Sequence, residues 1–278
     1  MAQNLQLLRR RIKTSKNIAQ IAKAMEMISA SKIKKAQEAV QNNKPYAQRI
    51  LDFTTRVSRN TEQKISHPYL ETNESEKKLI IAFSPDRGLC GGLNTSLSKL
   101  FLQIPQDDYV ITNGKRAGQF ISKTGIQPVA AFDSGTTLPS YERVYQLVEL
   151  INEYYLTKKV SKVEVIYPDF VSFFTQTPTQ KTILPLEIPS GESTSLSSYI
   201  FEPNAEKLLL ELLPYYLEIN IYSILLEAYT SEQAARMMAM QNAKNNALDI
   251  AEFLTLSYNK SRQEKITNEI LDLNSGQL

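Results

Sequence analysis

The sequence contains few of the residues on which disulfides, metal centres and flexible loops depend. Its single cysteine, Cys90, cannot form an internal disulfide, which favours a reducing compartment. One cysteine and one histidine, His67, are too few for a transition-metal cluster. The 278 residues include only 9 glycines and 12 prolines, so long unbroken helices are expected.

The sequence also lacks the segments that direct a chain into or across a membrane. No apolar run approaches the roughly 20 residues of a membrane span. The N-terminal residues, MAQNLQLLRRR, have no apolar core or small-residue cleavage site of a secretory signal. The composition therefore predicts a soluble intracellular protein.

Positive charge is concentrated in the first part of the chain. Residues 1–50 hold eleven lysines and arginines against Glu26 and Glu38, a net charge of +9, whereas the whole chain carries +3. Such asymmetry indicates an acidic partner, which could be a nucleic acid, a membrane surface or an acidic protein. Aromatic residues are absent from residues 1–45, so base stacking is not available there.

Two segments, one at each end of the chain, contain almost no helix-breaking residues. They predict an N-terminal helix at 1–58 and a C-terminal helix at 203–275. At ~1.5 Å per residue, both are longer than a compact domain of this size can bury. Apolar residues recur every three or four positions in the first helix, at Ile18, Ile21, Met25 and Ile28. This spacing is typical of a coiled-coil seam and predicts that the two helices wind on each other in antiparallel fashion.

The hydrophobic pattern changes in the middle of the chain. Short apolar runs typical of buried strands lie at 79–83, 109–112, 129–132 and 163–167, and helical segments lie at 93–102, 117–124 and 141–158. This alternation predicts a parallel-sheet, Rossmann-like α/β domain over 77–190, closed by a pair of strands at 170–175 and 181–188. The predicted fold class is therefore α/β, with a long antiparallel coiled coil of the terminal helices and an inserted Rossmann-like domain.

No catalytic, cofactor-binding or metal-binding residues are predicted. The glycine-rich run GLCGGLN at 88–94 follows a strand, but it lacks the Lys-Ser/Thr of a P-loop and the spacing of a dinucleotide-binding motif. Its glycines are expected to form a tight turn instead. Cys90 and His67 could form a thiol–imidazole pair, but His67 lies in a polar linker where nothing orients it. Asp107 and Asp108 precede a strand and are expected to form a turn.

Four motifs, in the same order along the chain, resemble the gamma subunit family of F-type ATP synthase. They are AMEMISASK at 24–32, DRGLCGGLN at 86–94, SEQAARM at 231–237 and YNKSRQ at 258–263 followed by ITNEI. The resemblance implies a non-catalytic central rotor shaft that couples ion flow through the membrane sector to ATP synthesis or hydrolysis. It implies a ring of three alpha and three beta subunits around the shaft, with the catalytic residues on beta. Epsilon and the c ring are the other implied partners, and no cofactor is implied.

The resemblance also implies a location and a set of contact residues. The location is the cytoplasmic face of a bacterial plasma membrane, with an organellar inner membrane as the other possibility. Contacts with the beta subunits are expected from Met25, Arg236, Arg262 and Gln263, the last two aligning with the pair that holds a catch loop of beta. Contacts with the c ring and epsilon are expected from Lys44, Tyr46, Tyr199, Phe201 and Glu202. The alternative function is a basic coiled-coil protein that binds a nucleic acid or a membrane surface.

Overall fold

A computed structural model describes residues 2–59, 67–186 and 204–275. Its elements are α1 (Ala2–Arg59), a 3₁₀ turn (Pro68–Leu70), β1 (Lys78–Phe83), α2 (Leu93–Phe101), β2 (Tyr109–Asn113), α3 (Lys115–Lys123), β3 (Ala130–Phe132), α4 (Tyr141–Leu156), β4 (Lys162–Phe170), β5 (Gln176–Leu184) and α5 (Ala205–Ser275). The chain divides into two compact units. We call Met1–Ser31 with Arg236–Leu278 the helical unit and Lys32–Ala235 the α/β unit.

The α/β unit contains a five-stranded sheet in the order β3-β2-β1-β4-β5. The first four strands in the chain are parallel, and β5 pairs antiparallel with β4. The predicted α/β class with long terminal helices is thus confirmed. The closing pair differs from the expectation, because β4 itself extends to Phe170 and pairs with β5, while residues 171–175 form the connecting turn.

Apolar side chains of the sheet are buried on both faces. On β1, Leu79, Ile81 and Phe83 pack in one core cluster, which also contains buried residues of α4 and α5. Ile80 and Ala82 point the other way into a second cluster with residues of α2 and α3. Because successive strand side chains alternate between faces, a continuous apolar strand of this kind requires cover on both sides.

The helical unit is an antiparallel helix pair whose buried seam residues are mostly small, with Met240 as the exception. Ala19, Ala22 and Ser29 are buried on α1, and Ala247 and Ala251 are buried on α5. The seam predicted at Ile18, Ile21 and Ile28 is wrong in register, because these side chains are 49%, 62% and 57% exposed, whereas the fourth predicted residue, Met25, is half-buried. The physical reason is that small side chains let two helices approach closely, and interaxial distance depends on the residues at the contact.

The long helix α5 departs from the expectation that no apolar segment reaches membrane-spanning length. Within Lys207–Leu271 it contains a stretch that is long and apolar enough to cross a membrane, judged by length and composition alone. Its apolar residues in the α/β unit lie in the core, where they include Leu209, Leu213, Leu217, Ile221 and Ile224. Core packing accounts for the apolar character of that part of α5.

Candidate partner-contact site

Two polar pairs define how α1 and α5 lie against each other in the helical unit. Glu26 accepts a hydrogen bond from Lys244, with Oε2 and Nζ 2.7 Å apart. Arg9 Nε donates to the hydroxyl of Tyr258 at 2.7 Å, and its guanidinium lies 5.2 Å from the centre of the tyrosine ring. The earlier residue on α1 pairs with the later residue on α5, so the helices are antiparallel, as predicted.

The outer surface of the helical unit combines apolar and basic side chains. Large apolar side chains are exposed on both helices, at Leu7, Ile18, Ile21, Met27, Ile28, Leu248, Ile250, Phe253, Leu256, Ile266, Ile270 and Leu271. Six basic residues of α1 within the helical unit are also exposed, namely Arg9, Arg10, Arg11, Lys13, Lys16 and Lys23. A large apolar surface exposed to water marks an interaction surface. We call these residues the outer surface of the helix pair.

The four residues expected to contact beta all lie in the helical unit. Met25 and Arg236 are half-buried, whereas Arg262 and Gln263 are exposed on α5. The structure does not bring Met25 and Arg236 together. Since Lys244 pairs with Glu26, Arg236 lies eight residues from that level, about 12 Å along the helix at ~1.5 Å per residue.

Two of the five residues expected to contact the c ring and epsilon belong to the part of the chain that the structure describes. Lys44 and Tyr46 are exposed on α1 in the α/β unit. Tyr199, Phe201 and Glu202 lie outside the described residues.

A cluster of tyrosines next to Tyr46 was not anticipated from the sequence. Tyr141 of α4 stacks on Tyr222 of α5, with ring centres 4.3 Å apart, and its ring centre is 6.4 Å from that of Tyr145. The pKa of Tyr141 is raised by burial first, and then by Tyr222, Tyr46, Tyr145 and Glu218. The sequence could have indicated part of this cluster, because Tyr141 and Tyr145 are four residues apart on a helix and such residues share a face.

The motif at 86–94 joins neighbouring segments of the chain through the side chain of its first residue, Asp86. The carboxylate of Asp86 accepts three backbone N–H groups, from Lys115 at 2.9 Å, Ser134 at 3.0 Å and Gly135 at 2.8 Å. Leu89 and Gly91 adopt positive φ values of 64° and 58°, which form the tight turn before α2. The role of Asp86 was missed, because its partners lie 29 to 49 residues away in sequence.

Gly114, between β2 and α3, allows two backbone segments to approach closely. Its φ is 121°, and an added Cβ atom would lie 1.9 Å from the backbone oxygen of Ser84. The hydroxyl of Ser84 in turn accepts the N–H of Ala117 at 2.7 Å. Glycine is required here by conformation and by space.

Within residues 2–59, 67–186 and 204–275, no group of three or more histidine, cysteine, aspartate or glutamate side chains is arranged to hold a metal ion. Cys90 is buried and its sulfur accepts a hydrogen bond from Asn94 Nδ2 at 3.3 Å. His67 accepts the N–H of Tyr69 through Nδ1 at 3.0 Å, which caps the 3₁₀ turn. Each of these two hydrogen bonds joins residues close together in the sequence.

Chains of solved ATP synthase structures share the fold of this chain. The rotor of the Euglena gracilis mitochondrial ATP synthase in rotational state 1 matches with a TM-score of 0.67 and 18% identity, covering 96% of this chain and 100% of that one. A chain of the same enzyme in rotational state 3 matches with a TM-score of 0.69 and 18% identity, covering 100% and 94%.

Relatives found by sequence have a higher identity to this chain than these solved structures have. A family model described as ATP synthase matches residues 4–277. The ATP synthase gamma chain of Dehalococcoides mccartyi is 36% identical over 283 residues, with 98% of each chain covered. That of Pelotomaculum thermopropionicum is 37% identical over 278 residues, again with 98% of each chain covered. These relationships do not support the alternative of a nucleic-acid- or membrane-surface-binding protein. The chain therefore belongs to the ATP synthase gamma chain family.

Proposed function

We propose that this chain is the central rotor shaft of an F-type ATP synthase. In this function it couples ion flow through the membrane sector to ATP synthesis or hydrolysis by rotating inside a ring of three alpha and three beta subunits. The catalytic residues belong to the beta subunits, and the chain acts without a cofactor of its own. It transmits torque through an asymmetric surface that each beta subunit meets in turn.

The observation that carries this proposal is the outer surface of the helix pair. The seam uses small residues such as Ala22 and Ala247, while Ile21, Phe253 and Leu256 point outward. Fully burying a side chain of that size contributes about 1.5–3 kcal/mol, so a long apolar surface left in water is costly. A sleeve of partner subunits would cover it. The exposed basic residues of α1 would then face acidic segments of beta, since complementary charge sets register and specificity more than affinity.

The remaining partners in the proposal are epsilon and the c ring. Lys44 and Tyr46, both exposed on α1, would contact them together with Tyr199, Phe201 and Glu202. The complex would lie on the cytoplasmic face of the bacterial plasma membrane, with this chain peripheral to the membrane. Exposed ion pairs each contribute only ~0–1 kcal/mol, so this contact would rest on several residues together.

Rotation is the direct test of the proposed function. The full chain is assembled with alpha and beta subunits, a bead is attached to an introduced cysteine in the α/β unit after Cys90→Ser, and ATP is added. We expect stepwise unidirectional rotation that depends on ATP. Assembly followed by ATP hydrolysis without bead rotation would contradict the proposal, and so would a failure of the chain to assemble with alpha and beta.

The proposed beta contacts of Arg262 and Gln263 can be tested separately. The planar guanidinium of Arg262 suits a carboxylate of the partner. Replacing both residues with alanine is expected to reduce coupled ATPase and synthesis while the chain stays folded. Glu264 and Asn268 are exposed on a different face of the same helix, because each residue turns the helix by about 100°. The double alanine variant of that control pair is expected to keep full activity.

The half-buried Met25 gives a second test of the beta contact. Met25→Lys adds a positive charge on the helix pair and is expected to leave ATP hydrolysis largely intact but to reduce ion pumping. Normal pumping per ATP in inverted vesicles would contradict this role for Met25. For the c ring, Glu202→Lys is expected to release the soluble sector from membranes at lower salt than the parent, because screening weakens the remaining charge pairs.

A further inference from the structure

Four tyrosine side chains from α1, α4 and α5 lie close together on the surface of the α/β unit. They are Tyr46, Tyr141, Tyr145 and Tyr222, and we call them the tyrosine cluster. Tyr141 stacks on Tyr222, with their ring centres 4.3 Å apart and their planes 23° from parallel. The centre of the Tyr145 ring lies 6.4 Å from that of Tyr141. Tyr141 therefore links the ring on α5 to the ring on the next turn of α4.

The helix α1 brings Tyr46 to the same place. Asn43 Nδ2 donates a hydrogen bond to Ser223 Oγ at 3.0 Å, which holds α1 against α5 next to Tyr222. Tyr46 follows Asn43 by three residues, so the two side chains lie on the same side of α1. The side chain of Tyr46 is also close enough to contribute to the raised pKa of Tyr141.

The rings of the cluster are open to solvent. Tyr46, Tyr141 and Tyr145 are 50%, 39% and 56% exposed. Lys44 and Arg49, the basic residues nearest to Tyr46 in the sequence, are exposed on α1. Among the described residues, no lysine or arginine lies over any of the four rings. Because the face of an aromatic ring attracts positive charge, these rings are available to a cation from outside the chain.

Carboxylates lie beside the tyrosine cluster on two helices. Glu218 of α5 precedes Tyr222 by one turn, and its charge contributes to the raised pKa of Tyr141. Within the described part of the chain, Glu218 has no hydrogen-bond or ion-pair partner. Glu142 and Glu149 are exposed on α4, three residues before and four residues after Tyr145, so they share its face of the helix. Ring faces and carboxylates together suit a positively charged group.

Among the cationic groups of biology, a guanidinium fits this surface best. It is planar, stacks on aromatic faces, and presents a fork of N–H donors to a carboxylate, whereas an ammonium group is a compact and strongly hydrated charge. An anionic membrane surface is disfavoured, because Glu142, Glu149 and Glu218 would repel it. The charge of the surface therefore selects a basic segment of a protein.

We propose that the tyrosine cluster binds an arginine side chain of a partner protein. The guanidinium lies against the rings of Tyr141 and Tyr145, and its N–H groups donate to the carboxylate of Glu218. This inference goes beyond the proposed rotor function and does not depend on it, because it follows from the side chains of the cluster alone.

The test is titration of the full chain with the capped peptide Gly-Arg-Gly-Arg-Gly. The chain is labelled with fluorotyrosine and followed by fluorine NMR, and Tyr141→Phe and Tyr145→Phe assign the two signals. We expect both signals to shift and to reach saturation. The same peptide with citrulline in place of arginine is not expected to shift them, because citrulline has a similar shape without the charge.

Three variants separate the contributions of the ring and the carboxylate. Tyr145→Leu and Glu218→Gln, followed through the Tyr141 signal, are each expected to weaken binding at least about threefold. Tyr145→Phe is expected to bind like the parent, because the aromatic face is retained.

Two control variants make the same chemical changes away from the tyrosine cluster. Glu76 is exposed before β1, and its neighbour Lys77 accepts the N–H of Ser161, which follows α4. Because α4 has 16 residues, about 24 Å at ~1.5 Å per residue, Glu76 is remote from Tyr141 at the start of that helix. Phe174 is 80% exposed in the turn between β4 and β5. Glu76→Gln and Phe174→Leu are expected to bind like the parent.

Circular dichroism checks that every variant is folded. The proposal is overturned if the arginine peptide does not shift the two signals, if the citrulline peptide shifts them equally, or if the folded cluster variants bind as tightly as the parent. It is also overturned if only phosphatidylcholine vesicles, anionic vesicles or self-association of the chain shift these signals. The titration uses the chain without other subunits, so its outcome is separate from that of the rotation experiment.

Discussion

Glu26 of α1 and Lys244 of α5 form an ion pair 2.7 Å long in which only 20% and 22% of the side chains are exposed. It lies in the seam between the small residues, with Ala22 one turn before Glu26 and Ala247 close to Lys244. A partly buried pair at this position stabilises the observed register of the two helices, because a shifted register would leave both charges without their partner.

The pair predicts a measurable coupling between the two helices. A double-mutant cycle with Glu26→Gln and Lys244→Met, measured by urea unfolding of the full chain, is expected to give a coupling energy of about 1 kcal/mol. Lys265 and Glu269 form an exposed pair within α5, with the charged atoms 3.3 Å apart, and serve as the control. Their cycle is expected to give only about 0.3–0.5 kcal/mol. Equal couplings for both pairs would contradict the seam role of Glu26 and Lys244.

The small-residue seam makes a second prediction. Ala22 is buried against α5, whereas Ala24, two residues later, is exposed. Ala22→Leu is expected to lower the free energy of unfolding by about 1–3 kcal/mol, because the added carbons force the helices apart. Ala24→Leu is expected to change it by less than about 0.5 kcal/mol. Urea unfolding followed at 222 nm distinguishes the two variants, and a stable Ala22→Leu variant would show that the helices are not closely packed there.

The third prediction concerns the loops joined by Asp86. Asp86→Ala leaves three backbone N–H groups without their carboxylate. We expect the free energy of unfolding of the α/β unit to fall by about 2–3 kcal/mol, because hydrogen bonds to a charged group are among the stronger ones. The exposed Asp107, in a turn before β2, provides the control substitution Asp107→Ala, which should be nearly neutral. Hydrogen exchange at Ser134 and Gly135 is expected to accelerate in the Asp86 variant alone.

The fourth prediction is a pH dependence from Glu227 of α5. Burial first, and then the nearby Asp169, raise the pKa of Glu227 above its ordinary value of 4.5. Its carboxylate also accepts a hydrogen bond from Tyr167, whose pKa is raised by burial. Because the folded state favours protonated Glu227, its contribution is most favourable below the ordinary pKa and is lost as pH rises through the raised one.

Thermal unfolding across pH 4–8 tests this sign. Glu227→Gln is expected to stabilise the chain at neutral pH relative to the parent, with the advantage shrinking as the pH approaches the ordinary glutamate pKa. The exposed Glu211, on the same helix, gives the control Glu211→Gln, whose difference from the parent is expected to stay flat. A Glu227→Gln advantage that grows on acidification would contradict the assignment.

The positions of most helices and strands were predictable because they depend on residues that are close together in the sequence. The strand runs at 79–83 and 109–112 differ from β1 and β2 by one residue at most at each end. Strongly apolar short runs and long glycine-free segments leave few alternatives. The strand expected at 170–175 was misplaced, because the apolar Phe173 and Phe174 indicate a strand, whereas the pairing of β4 with β5 puts them in an exposed turn.

The sequence alone determined that two long terminal helices flank an alternating α/β segment. Hydrophobic period and glycine content decide between helix and strand through residues that are close together in the chain. The sequence also carried the family motifs. The tertiary structure decided which helical face forms the seam. Hydrophobicity favoured Ile18, Ile21 and Ile28, but close approach of the helices selected Ala19, Ala22 and Ser29, with Glu26 paired to Lys244. The structure likewise assigned Asp86 its three distant N–H partners, because such contacts depend on where the chain returns in space and leave no local pattern.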